Sequence, residues 1–301
     1  MNQEIFEEIL ELKKEKNAVI LAHNYQIDEV QQIADITGDS LELSRAATRV
    51  DAEIIVFAGV HFMAENAAIL NPDKTVLLPN LTAGCPLADM ITVERLREMK
   101  KEYPDAAVVC YVNSSAEVKA EATICCTSSN AVKVVNALSE KQIIFAPDKN
   151  LAHYVSSFTE KEIIPWKGFC PIHARLTREE VIAAMNGHPQ AVFVAHPECV
   201  PEVLALADYV CSTSGMFKYA RETAVREIII GTEMGMLWRL HKENPDKKFY
   251  VASEKMVCPN MKKINLEKIR NSLKEMKYRI SVPDEIRKRA FQAIKKMLDL
   301  K

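Results

Sequence analysis

The chain has 301 residues, 48% of them hydrophobic and 27% charged, the composition of a folded globular protein and not of a disordered one. Its formal net charge of -2 supplies no field that would draw nucleic acid or an anionic membrane. No apolar stretch approaches the roughly 20 residues that span a bilayer. The opening MNQEIFEEILELKKEK is a charged amphipathic helix pattern and not a secretory leader, so a cytoplasmic protein is expected.

After that helix comes an apolar run with a polar end, VILAHNY (Val19 to Tyr25). QIADITGDS then leads into a helical stretch, SLELSRAATRV. A second run, IIVFAGV, ends at Val60, and a third, TVLLPNLTAGCP, ends in Cys85 and Pro86. The order then starts again with VVCYVNSS (Val108 to Ser115), AEATICCTSSN, QIIFAPD and KEIIPWKGFCP, which closes on Cys170 and Pro171. A third copy reads VFVAHPEC (Val192 to Cys199), LALADYVCSTSG, EIIIGTE and KKFYVASEKMVCP, closing on Cys258 and Pro259.

The copies keep their spacing. His23, Tyr111 and His196 lie 88 and then 85 residues apart, as do Ser40, Ser128 and Thr213. The closing cysteines Cys85, Cys170 and Cys258 lie 85 and 88 apart. Any α/β protein alternates strands and helices, but that alternation does not place polar residues at matching strand ends or close every unit on Cys-Pro.

Each unit reads as strand, helix, strand, helix, strand. The strands are continuous Val- and Ile-rich runs, the pattern of strands covered on both faces. The expected fold is α/β: three related three-layer αβα domains with parallel sheets about a pseudo-threefold axis. Their expected ranges are 1–84, 85–169 and 170–260. The tail 261–301 is helical in pattern and is expected to pack back on the first domain beside the N-terminal helix.

In parallel α/β sheets, ligands bind beyond the carboxyl ends of the strands. One central pocket would then be lined by His23, Asn24 and Tyr25, by Tyr111 and Asn113, by His196 and Glu198, and by the three cysteines. In a cytoplasmic chain, eight cysteines point away from disulfides. No C-x-x-C pair occurs, so metal ligands would have to come from distant parts of the chain. Three converging thiolates suit a 4Fe-4S cube with one iron open to substrate, a Lewis acid for hydration or dehydration. The competing metal is zinc, with His173 as a fourth ligand. Cys110, Cys125, Cys126, Cys199 and Cys211 read as core residues. Ser40, Ser128 and Thr213 are expected at helix N-termini, where hydroxyls and free N–H groups favour a polyanion. His196, Glu198 and Tyr25 are acid–base candidates. His61, His153, His188 and His241 fall off the repeat and read as packing or surface residues, and Lys262 and Lys263 as a solvated charge pair.

The motifs ILAHNYQ, GDSLELSR, YVNSSAEVKA, ICCTSSNAV, GFCPIH, HPEC, STSGM, IGTEMGM and VCPNMKK together resemble one family closely, the quinolinate synthases of NAD biosynthesis. The resemblance spans nearly the whole chain and implies three αβα domains around a central 4Fe-4S cluster. It implies condensation of iminoaspartate with dihydroxyacetone phosphate, giving quinolinate, phosphate and water. It also implies functional coupling to an aspartate oxidase or dehydrogenase that supplies iminoaspartate. Carried onto this sequence, the cluster ligands are Cys85, Cys170 and Cys258. The substrate-binding positions are His23, Ser40, Tyr111, Val112, Asn113, Ser128, His173, His196, Pro197, Glu198, Ser212 and Thr213. Tyr25 and Glu198 are the implied proton-transfer pair, and His173 becomes a pocket residue instead of a ligand. The C-x-x-C that some members carry near the third ligand is replaced here by Cys258, Pro259, Asn260 and Met261, so a disulfide switch at that point is not expected.

Overall fold

The computed structural model describes residues 3–300; Met1, Asn2 and Lys301, which fall within the ranges expected above, lie outside the described residues. The described chain is α/β, with three sheets of four parallel strands each. In the first unit the strands are β1 (Ala18–His23), β2 (Ile36–Gly38), β3 (Ile54–Ala58) and β4 (Thr75–Leu77), in the order β2-β1-β3-β4. The second unit has β5 (Ala107–Tyr111), β6 (Ile124–Cys126), β7 (Gln142–Ala146) and β8 (Glu162–Pro165), in the order β6-β5-β7-β8. The third has β9 (Val192–Ala195), β10 (Tyr209–Val210), β11 (Glu227–Gly231) and β12 (Lys248–Val251), in the order β10-β9-β11-β12.

The repeat extends to the register. Leu21, Val109 and Val194 occupy the same place in their units. Each pairs on one side with Phe57, Phe145 or Ile230, and on the other with Ile36, Ile124 or Tyr209. Each sheet therefore has four strands, not the three expected. The added strands β2, β6 and β10 are two or three residues long and occupy the stretches read as helix approaches. Such short pairings carry no periodicity of their own.

The central strands are buried throughout because helices cover both faces. The first two sheets and the tail share one continuous hydrophobic core. The third sheet has separate cores on its two faces, one built on Phe193 and Ile229, the other on Val194 and Ile230. The tail divides between two units. Its helix Leu266–Glu275 packs on the N-terminal helix Gln3–Glu15, and Arg279 bridges Leu77 at the edge of β4. Its last helix, Asp284–Asp299, lies against β6 and the helix Ala116–Lys119 of the second unit, as well as against His61–Leu70 of the first. The tail thus does more than return to the first domain: its apolar stripe of Ala290, Ala293, Ile294 and Met297 seals the joint between two sheets.

Candidate active site

The carboxyl ends of the central strands converge. His23 ends β1, Tyr111 ends β5 and His196 directly follows β9. All three line one pocket with Tyr25, Asn113, Glu198 and the cysteines Cys85, Cys170 and Cys258. Ser40, Ser128, His173 and Thr213 complete the expected set on its wall. Asn24, Val112, Pro197 and Ser212 are in or next to these segments but are not on the wall; the Asn24 side chain is turned instead to Thr213 Oγ1 and Arg239.

Two of the three hydroxyl positions sit at helix starts. Ser40 is the first residue of helix Ser40–Ala47, whose cap Asp39 accepts from the backbone N–H groups of Leu41 and Glu42. Thr213 opens helix Thr213–Glu222, capped by Ser212, whose Oγ accepts from Gly215 N at 3.2 Å. Ser128 departs from the expectation. It lies in a turn, and its helix begins only at Ala131 because Asn130 Oδ1 folds back to accept from Thr127 N. Its hydroxyl still reaches the pocket, 3.2 Å from His196 Nε2. At the rim, Asp39 Oδ2 accepts from Ser129 Oγ at 2.5 Å and from Ser214 Oγ, so one carboxylate joins all three units.

A row of polar side chains runs along one side of the pocket, with Thr232 just behind its wall. The Tyr25 hydroxyl lies 2.6 Å from Thr232 Oγ1, which lies 2.8 Å from His173 Nε2. His173 Nδ1 lies 2.9 Å from Glu198 Oε2, and His196 Nδ1 faces the same oxygen at 3.3 Å. The two imidazoles stack with their ring centroids 4.5 Å apart. Burial raises the Tyr25 phenol well above its usual range and the nearby Glu198 charge adds to this, so Tyr25 stays protonated. Burial opposes charge on Glu198, but the His173 and His196 imidazoles outweigh it and hold the carboxyl below its ordinary range. Burial lowers the His23 pKa to about 4 despite the pull of Asp39, so His23 is neutral near pH 7. Glu198 Oε1 and Asn113 Oδ1 are buried without a hydrogen-bond partner among the described residues. Both residues line the pocket, so a bound ligand can complete them.

The cysteines were tested against the two metals considered. Among the described residues, the only trio of metal-binding side chains with ligand atoms within 4.8 Å of one another is Cys170, His173 and Glu198. The three sulfurs are therefore spread too widely for one zinc, whose Zn–S bonds of about 2.3 Å hold sulfurs closer than that. The histidine of that trio has its Nε2 taken by Thr232, and its Nδ1 lies 2.9 Å from Glu198 Oε2 without a hydrogen bond. The donor set fits a larger thiolate-bound group such as a 4Fe-4S cube. Burial pushes the Cys85 thiol up to about 12 and raises Cys170 and Cys258 as well. Cys110, Cys125, Cys126 and Cys199 are fully buried core residues, as expected, and Cys211 is half-buried.

Comparison with known proteins agrees with this architecture. A family profile described as Quinolinate synthetase A protein matches residues 7–299. The chain belongs to the quinolinate synthetase A family. Quinolinate synthases of Thermodesulfovibrio yellowstonii, Methanosarcina barkeri and Geobacter sp. are 58%, 56% and 57% identical to it. Each alignment covers 98–99% of this chain and 97–98% of the relative.

Within this member of the quinolinate synthetase A family, two site residues were not legible from the sequence. Thr232 links Tyr25 to His173, yet its counterparts in the other units are Gly59 and Pro147, so the repeat carries no sign of it. Lys262 is not half of a solvated pair. Its Nζ donates to the Tyr25 carbonyl at 2.6 Å and pairs with the buried Glu233 at 2.9 Å. Lys263 turns the other way and donates to Thr82 O. The off-repeat histidines behave as read: His61 faces Glu65, His188 stacks on Tyr250 and His241 packs edge-on to Phe249.

Proposed function

We propose that the chain makes quinolinate by condensing iminoaspartate with dihydroxyacetone phosphate, with loss of one phosphate and two waters. The observation that carries this reading is the meeting of three cysteines, one from each of three sequence-distant segments, with Tyr25, His173 and Glu198 in a single pocket, Thr232 bridging Tyr25 and His173 from behind its wall. Family membership over residues 7–299 supports the same reaction class.

Cys85, Cys170 and Cys258 would hold a 4Fe-4S cube. When bound, that cube supplies a Lewis-acidic iron with no cysteine on it. The remaining steps belong to the protein's side chains. The helix starts at Ser40 and Thr213 offer hydroxyls and backbone N–H groups to substrate carboxylates or phosphate. Asn113 and the neutral His23 and His196 add polar atoms without charge. Glu198, ionised and with Oε1 open, takes a proton from the bound substrate. Tyr25, protonated, faces the same space and returns a proton to a departing hydroxyl. Thr232 and His173 connect the two groups and reset them.

Anaerobic incubation of iron-loaded protein with oxaloacetate, ammonia and dihydroxyacetone phosphate tests this directly. Quinolinate should accumulate, and its absence from protein with an intact cluster would sink the proposal. No helix among the described residues is long and apolar enough to cross a membrane. We propose a cytoplasmic enzyme that receives iminoaspartate from an aspartate-oxidising partner.

A further inference from the structure

Each cysteine loop is tied to its sheet by the same backbone bond. His61 N donates to Ala83 O, Lys149 N to Gly168 O, and Met234 N to Met256 O, at 2.8, 2.8 and 2.9 Å. In every unit the acceptor lies two residues before the cysteine. In the second unit only glycine permits this approach, since a Cβ on Gly168 would lie 2.6 Å from Pro147 O.

The residue just before each donor is Val60, Asp148 or Glu233. These are the matching last residues of IIVFAGV, QIIFAPD and EIIIGTE. Asp148 and Glu233 are fully buried carboxylates, and each accepts from the backbone N–H of a cysteine. Asp148 Oδ2 takes Cys170 N at 2.9 Å, and Glu233 Oε1 takes Cys258 N at 3.0 Å. Val60 has no acceptor to offer Cys85. The second oxygens differ in their work. Asp148 Oδ1 caps the helix Lys149–Ser156 through Asn150 N and Leu151 N. Glu233 Oε2 accepts from Gly235 N and from Lys262, whose ammonium also holds the Tyr25 carbonyl.

A buried carboxylate is costly, and two in equivalent places beside sulfur ligands are not needed to close loops that the backbone bond already closes. We infer that Asp148 and Glu233 are a repeat-related pair of positioning residues that hold Cys170 and Cys258 in ligating position, and that Glu233, through Lys262, ties the third ligand to Tyr25. Cys85 is held without such a clamp. The inference rests on the cluster reading above and adds to it which residues outside the ligand set retain the metal.

Two variants separate clamping from folding. Asp148→Ser keeps a hydroxyl to cap the helix but is too short to reach Cys170 N as well. Glu233→Asp keeps a charge opposite Lys262 but draws back from Cys258 N. The readouts are the melting temperature of the iron-free proteins, iron per chain after anaerobic reconstitution, and the rate of iron loss to a ferrous chelator. Both variants should melt close to the parent protein yet lose iron about 10-fold faster or more, the usual effect of removing a group that orients a ligand. Iron loss at the parent rate, or loss only in proportion to a lowered melting temperature, would overturn the inference. An iron-free parent protein would sink the cluster reading and this inference with it, whereas an iron-loaded parent with indifferent variants would sink the inference alone.

Discussion

Glu198 Oε2 lies 2.9 Å from His173 Nδ1, and both side chains are buried. The carboxylate therefore has an imidazole behind it and an open oxygen, Oε1, in front. Glu198→Gln keeps the shape and removes the base. It should retain iron and lose turnover by about 100-fold or more, the usual range for a general base. Quinolinate assays alongside iron analysis decide this, and retained activity would remove Glu198 from the proton path.

Thr232→Val removes the hydroxyl between Tyr25 and His173 and leaves the volume nearly unchanged. We expect kcat to fall about 10- to 100-fold with little change in KM. Thr232→Ser should restore most of the rate. A valine variant with normal kcat would show that the Tyr25–His173 connection is not used.

Cys85→Ala, Cys170→Ala and Cys258→Ala should each abolish iron binding, whereas Cys110→Ala should keep it. Cys110 is fully buried beside Ser114, within 3.0 Å of its Oγ, and is not part of the pocket wall. Its alanine variant costs packing, not metal. Equal iron loss in all four proteins would contradict the ligand assignment.

Protonating His23 should cost the iron-free protein stability as the pH falls. Burial lowers the folded-state pKa of His23 to about 4, against 6.5 for the ordinary side chain. Between those values the unfolded chain binds the proton more readily, so this contribution is complete above pH 6.5 and fades as the pH falls toward 4. The loss from His23 alone is on the order of 3 kcal/mol at the acid end. Burial raises Asp148 to about 8, which acts in the opposite direction, so the test is a difference: between pH 7 and pH 4 the denaturant midpoint should fall more steeply, or rise less, in the parent protein than in His23→Gln. Equal pH slopes in the parent protein and His23→Gln would refute this.

The repeat was readable because it is written in polar residues at strand ends, where side-chain chemistry is constrained by the pocket. His23, Tyr111 and His196 therefore appeared in sequence where they stand in space. Strands β2, β6 and β10 escaped because two or three residues cannot display an alternation. Ser128 was placed a turn too far along because the Asn130 side chain, and not Ser128, shapes the approach to its helix. Thr232 stands where the other units have Gly59 and Pro147, neither of which carries a hydroxyl. Lys262 looked solvated because its partners, Tyr25 and Glu233, lie 237 and 29 residues away. Properties that depend on one unit meeting another leave little trace in local sequence.

The sharing of cores sets an order of events. Cys85 and Cys170 sit on two units that share one hydrophobic core, and Cys258 follows a sheet that does not share it. The core shared by the first two units also includes Ala290, Ala293, Ile294 and Met297, which follow Cys258 in the chain, so those two units are not closed until after the third cysteine has been made. A group held by all three thiols would then find its complete site only once the whole chain, tail included, has been made.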